Sequence, residues 1–175
     1  MARLDNAVTV VTGAGGGVGR QAALRLAAEG SRVGLTDLGA SSLKETASLA
    51  REAGGGSVVN VSSIGALAAL PNIGIYCASK AAVLGLTRSL AMEYAPHNVR
   101  ANILCPGLVD TQMAAEHQKS FATPQDAIDA LAGRQMLKRY AQPVEIAEVI
   151  VFLISKEASF MTGATVPVEA GWTAR

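Results

Sequence analysis

Aromatic side chains are scarce, at 4% of 175 residues with a single tryptophan, and charge is thin, with 15 Lys and Arg against 14 Asp and Glu. The first shortage means that any core must be built from Ala, Val, Leu and Ile, and a composition that is 50% hydrophobic supplies them. The second, a net charge of +1 with no basic run, excludes the clustered basic stripe of a nucleic-acid surface. Cysteine is nearly absent. Cys77 and Cys105 stand in apolar surroundings without metal-ligand spacing, which predicts two buried, reduced thiols, no disulfide framework and no metal site. No apolar stretch reaches the roughly 18 residues of a membrane span without charge or glycine punctuation. The opening "MARLDNAVTVVTGAG" runs almost at once into a strand and lacks a signal-peptide plan. A soluble, cytoplasmic chain of one domain, residues 1–175, is therefore expected.

What is present is an alternation of two periodicities. "AVTVVTG" (7–13), "RVGLTD" (32–37), "SVVNVSS" (57–63), "VRANILCPG" (99–107) and "GATVPVEAG" (163–171) read as short strands rich in β-branched residues. Between them, 20–30, 41–53, 76–95 and 143–155 carry apolar residues at helical spacing, the last with Pro at the first helical position. Residues 111–141 read as loops and short helices. Strands that alternate with helices imply parallel pairing in a doubly wound α/β sheet.

Three groups of residues carry chemistry. "TGAGGGVG" (12–19) lies between the first strand and its helix. Glycines there let the backbone turn tightly and approach a pyrophosphate, which the helix N-terminus then stabilises. A tight turn needs glycine with or without a ligand, so the motif gains weight from Asp37 at the end of the second strand. A carboxylate there can accept both hydroxyls of an adenosine ribose and repels a 2′-phosphate. "YCASK" places Tyr76 and Lys80 four residues apart on one helical face. A cation beside a phenol favours phenolate, so this Tyr can exchange a proton with an alcohol or carbonyl oxygen near neutral pH. Ser63 ends the third strand thirteen residues before Tyr76, at the strand ends where doubly wound sheets bind ligands. Each alone is matched by an ordinary surface residue. The set of three is not.

On these residues the chain resembles the short-chain dehydrogenase/reductase family. The glycine motif appears as Thr12, Gly13, Gly17, Val18 and Gly19, and the catalytic set as Ser63, Tyr76 and Lys80. The family's Pro-Gly turn appears as Pro106 and Gly107, followed by Val109 and Thr111, which match positions that hold the nicotinamide carboxamide. The resemblance implies a Rossmann-like fold and an oxidoreductase that moves a hydride between a nicotinamide cofactor and a secondary alcohol or ketone. In it Tyr76 is the acid/base, Ser63 holds the substrate oxygen, and Lys80 binds ribose and tunes Tyr76. Asp37 implies NAD in preference to NADP. His117, Met113, Phe121, Met136 and Tyr140 fall in the stretch that covers substrate in this family, but packing explains them equally well, and His97 suggests nothing.

The resemblance breaks at "REAGGGSVVNVSS" (51–63), where a helix tail and a strand that belong to different units are fused near Gly54–Gly56. Two strand–helix units, roughly 60–80 residues, are missing by comparison with the family plan. With them go the Asn-Asn-Ala-Gly wall of the adenine pocket, the catalytic Asn, and a helix that forms half of a subunit interface in family homo-oligomers. Closing strand three against strand one restores an accepted doubly wound order, 2-1-3-4-5. Three readings stand: an oxidoreductase slowed by the loss, a nucleotide-binding remnant with little or no turnover, or a non-functional sequence that never accumulates folded.

Overall fold

The computed structural model describes residues 3–5, 7–12, 14, 17–36, 56–119 and 121–174. Strand β1 (Val8–Thr12) leads into helix α1 (Gly17–Ala28), and β2 (Arg32–Thr36) returns parallel to β1, Val8 opposite Arg32 and Thr12 opposite Thr36. The expected helix over 41–53 lies outside the described residues. Then come β3 (Gly56–Val61), α2 (Gly74–Tyr94) and β4 (Val99–Pro106). Two short helices follow, α3 (Gln112–Gln118) and α4 (Pro124–Ala127), with a π-helical segment Ile128–Ala132, and then α5 (Pro143–Ile154) and β5 (Thr165–Val168). β4 is the middle strand of three. It pairs in parallel with β3 from Gly56–Val99 to Val61–Leu104, and with β5 from Ile103–Thr165 to Pro106–Val168. Every residue of β4 but Arg100 is buried, as a strand covered on both faces requires.

The covering layers follow from helix periodicity. Leu84, Thr87, Leu90 and Ala91 are the buried residues of α2, and Leu90 and Ala91 pack on Val58, Val99 and Ala101 of β3 and β4. On the other face α5 lays Ile146, Ala147, Ile150 and Leu153 against Leu104 of β4 and Ala22 of α1. Pro143 begins α5, and Glu145 turns back to accept the Gln142 N–H at 2.7 Å. The Arg139 guanidinium, bidentate on Glu145 at 2.7 and 2.8 Å, holds that carboxyl down at about 2. The result is a Rossmann-like α/β fold, as the alternation implied.

The single sheet in order 2-1-3-4-5 is not formed among the described residues. Among the described residues β1 pairs with β2 alone, and β3, β4 and β5 make a separate three-stranded sheet. The reason lies in the helix layer. α1 packs directly on α5 through Ala22, while Val151 of α5 joins Leu4, Leu26, Val11 and Val33 beneath the first sheet. Arg25 of α1 is also paired with Glu148 of α5 at 2.6 Å. Packed helices stand roughly 8–10 Å apart, whereas paired strands stand about 4.8 Å apart. Two packed helices thus span about two strand spacings, so the α1–α5 contact is satisfied with β3 left unpaired from β1. The helix contact wins, and Val8 of β1 is left 62% exposed.

Arg100, the half-buried exception in β4, has its own task. Its guanidinium donates to the carbonyls of Leu153 (2.9 Å), Ile154, Ser155 and Met161 (3.2 Å each), closing the C-terminal end of α5 where carbonyls have no helical partner. Burial pushes its pKa down. Arg100→Ala is expected to lower stability by about 2 kcal/mol, the scale of hydrogen bonds made by a charged group. That is a fall of about 4–8 °C in the melting midpoint for a chain of this size, readable by calorimetry. Arg100→Lys is expected to recover little, because one ammonium cannot span four carbonyls.

Candidate active site

Parallel strands bring their carboxyl ends to one side, and the candidate residues collect there. Ser63 follows β3 in extended backbone (φ −164°, ψ 161°), is 8% exposed, and caps the 3-10 turn Ile64–Ala66, its Oγ accepting the Gly65 N–H at 3.1 Å. That leaves the Ser63 hydroxyl hydrogen available to a second partner. Gly65 is the point of closest approach. A Cβ there would meet Cys77 Sγ at 3.2 Å and Tyr76 Cε1 at 3.4 Å, so the absence of a side chain lets the Tyr76 ring settle two residues beyond Ser63.

Tyr76 is 39% exposed in the first turn of α2. One turn on, Lys80 stands with Nζ 5.8 Å from the Tyr76 ring centroid and donates to the Val61 carbonyl at 3.4 Å. Burial lowers the Lys80 pKa, offset in part by the Cys105 thiol. Cys105 is fully buried, its own pKa raised by burial, while Cys77 is only half-buried, so one of the two expected buried thiols is partly accessible. Tyr76 thus stands beside Gly65, two residues past Ser63, with the Lys80 ammonium over its ring.

The opening of α1 meets the loop that follows β4. Gly17 opens α1 at φ +49°, a left-handed conformation that suits glycine, and a Cβ there would meet Thr111 Cγ2 at 3.3 Å. Residues from two loops 94 positions apart are therefore in contact at the strand ends. Val18 and Val109 pack into the same apolar cluster, and Gly19 lies in the first turn of α1. Thr12 is the last residue of β1. Gly13 and Asp37 lie outside the described residues.

Pro106 ends β4, and the Gly107 N–H bonds to Val168 O at 2.9 Å. Val109 bridges to Ala141, and the Thr111 hydroxyl accepts the Ala114 N–H at 3.3 Å, capping α3. Gln135, 1% exposed, accepts the Leu108 N–H at 3.0 Å and donates to Arg139 O at 2.6 Å, so it templates this loop from a stretch that reads in sequence as loops and short helices. The side chain of His117 is not described, and Met113 is 78% exposed. No group of three His, Cys, Asp or Glu residues suited to a metal occurs among the described residues. Among the described residues, no helix is long and apolar enough to cross a membrane.

The sequence matches the family profile described as enoyl-(acyl carrier protein) reductase over residues 49–173. The chain belongs to the short-chain dehydrogenase/reductase family. Family relatives include an A-factor type gamma-butyrolactone 1′-reductase of Streptomyces virginiae, 43% identical over 129 residues, which are 74% of this chain and 49% of the relative. A cyclopentanol dehydrogenase of a Comamonas species is 43% identical over 124 residues, 71% of this chain and 48% of the relative. The chain thus spans about half the length of the curated relatives it matches. The fold is also that of a variant actinorhodin polyketide ketoreductase solved with NADPH, with TM-score 0.84 at 23% identity and the full length of both chains covered.

Proposed function

We propose that the chain is an NAD(P)-dependent oxidoreductase for secondary alcohols and ketones, with Tyr76 as acid/base. The observation that carries this is Tyr76 standing beside Gly65, two residues past Ser63, with Lys80 over its ring, together with the Gly17–Thr111 contact. The residues present fit the pyrophosphate of a dinucleotide. Gly17 leaves the opening of the twelve-residue helix α1 without a side chain, and the first-turn N–H groups of a helix have no intrahelical partner. When bound, the nicotinamide accepts or delivers the hydride.

Tyr76 accepts the alcohol proton on oxidation and returns one to the carbonyl oxygen on reduction. Ser63, its oxygen already satisfied by the Gly65 N–H, turns its hydrogen to the same substrate oxygen. Lys80 favours the phenolate by its charge and reaches ribose hydroxyls. In this reading Thr12, Gly13, Gly17, Val18 and Gly19 form the phosphate turn, and Pro106, Gly107, Val109 and Thr111 seat the carboxamide. The reductase and dehydrogenase relatives support the reaction class. Turnover is expected to be slow beside intact relatives. No described strand lies between β1 and β3 to wall an adenine pocket, and a misplacement of about 1 Å can cost on the order of 10²-fold.

The split sheet favours one other reading, a remnant that binds nucleotide without turning over. Titration with NADH followed by fluorescence, paired with an NAD-linked assay over a panel of secondary alcohols, separates the two. Binding with turnover supports the oxidoreductase, binding alone supports the remnant, and neither would end both. Asp37 should disfavour a 2′-phosphate, so NADH should bind more tightly than NADPH. Asp37→Asn is expected to narrow that preference by roughly tenfold, about 1.4 kcal/mol. Tighter NADPH binding by the unmodified protein would refute the assignment.

A further inference from the structure

Helix α2 carries the proposed acid/base pair at the end where it is least held. Its buried residues begin at Leu84, so Tyr76 and Lys80 occupy turns that run ahead of the packed part. Gly74, Ile75, Tyr76, Ala78 and Ser79 are all exposed, and Ile73 gives the helix no side-chain cap. A helix end with neither cap nor buried face frays readily.

The neighbouring strand grips that end with polar side chains. Ser62, 4% exposed, donates from Oγ to the backbone carbonyl of Lys80 at 2.8 Å. A carbonyl has two lone pairs, so the helical hydrogen bond from residue 84 and the serine can share this one. Two turns further on, Asn60 donates Nδ2 to Thr87 Oγ1 at 2.8 Å, and Thr87 passes its own hydrogen to Val83 O at 2.7 Å. Strand alternation explains the set. Val58 packs on α2, so Asn60 and Ser62, two and four residues on, present to the same helix. Each of these polar groups is buried, and each finds its partner on α2.

We propose that Ser62 is a positioning residue for the acid/base pair, its hydroxyl setting where the first turns of α2 stand against β3, with Asn60–Thr87 as the second anchor. Ser62 adjoins Ser63, so one strand end fixes both the group that holds the substrate oxygen and the helix that brings the proton donor to it. The inference rests on the reading of Tyr76 as acid/base.

The test combines amide hydrogen exchange on the unliganded protein with steady-state kinetics. Ser62→Ala is expected to speed exchange over residues 74–84 by about tenfold, the worth of one hydrogen bond, while residues 87–94 keep their protection. It is expected to lower kcat by about 10–100-fold through a displaced phenol. Ser62→Thr, which keeps a hydroxyl, should restore both. On a Tyr76→Phe background the Ser62→Ala loss should vanish, since displacing a ring that has no proton costs nothing further. A serine that merely stabilised the fold would cost the same in both backgrounds. Unchanged exchange over 74–84, or equal losses in the two backgrounds, would overturn the inference. Wild-type protein without NAD-linked turnover would sink the functional reading instead, and exchange would still decide whether Ser62 holds the helix.

Discussion

Tyr76→Phe is expected to cut NAD-linked alcohol oxidation by about 10²–10⁴-fold, the usual contribution of general acid–base catalysis. The ring is retained, so its contact beside Gly65 and its place under the Lys80 ammonium survive, and only the exchangeable proton is lost. A residue 39% exposed contributes little to folding through its hydroxyl, so the melting midpoint should scarcely move. NADH binding should be nearly unaffected as well. Lys80→Ala makes the contrast. Its ammonium lies 5.8 Å from the centre of the Tyr76 ring and in the proposed reading reaches ribose, so that variant should lose both turnover and cofactor affinity. The measurement is kcat across the alcohol panel, with circular dichroism to verify folding. Equal activity in wild type and Tyr76→Phe would show that another group moves the proton.

Gly107→Ala is expected to be strongly damaging although it lies away from the proton-transfer residues. An added Cβ would stand 2.7 Å from Gln135 Oε1 and 2.9 Å from the Glu169 Cα, and the second is backbone that cannot swing aside. Either β5 shifts at its Pro106–Val168 pairing, or Gln135 gives up the Leu108 N–H it accepts at 3.0 Å. Overpacking costs typically 1–3 kcal/mol and an unsatisfied buried group a similar amount, so a loss of about 3 kcal/mol is expected. Thermal melting should fall by on the order of 10 °C. Because Val109 and Thr111 hang on the same turn, NADH affinity should drop with it. A variant with unchanged midpoint and affinity would show that the turn yields more easily than these contacts allow.

What could be read from the sequence was local. Tyr76 and Lys80 are four residues apart on a continuous helix, so their proximity follows from helical pitch, and Ser63 follows from the end of a strand whose β-branched run is plain. The glycine turn was legible for the same reason. The gap between β1 and β3 was not, because it is decided by Ala22 and Ile150 meeting across two helices far apart in sequence. Ordering strands by handedness alone supplies no side-chain volume. Gln135 was invisible because its task exists only once Gly107 and Leu108 are folded beside it. Asn60 and Ser62 did leave a signal, polar residues at inward positions of a buried strand. Such residues usually mean that a partner waits on the packed helix.

A continuous sheet makes its halves melt as one, because each strand completes its neighbour's hydrogen bonds. Among the described residues that ladder is interrupted, and the two halves are joined through the oily flank of α5 and the Arg25–Glu148 and Arg3–Glu157 pairs. Cooperativity in this molecule is therefore carried by methyl groups rather than by amides. It weakens with whatever loosens apolar packing, such as cold or a shaved side chain at Ile150 or Val151. A dinucleotide seated on both Gly17 and the turn after β4 would tie the halves together more firmly than the chain ties itself, making the cofactor a structural cross-brace as well as a reactant.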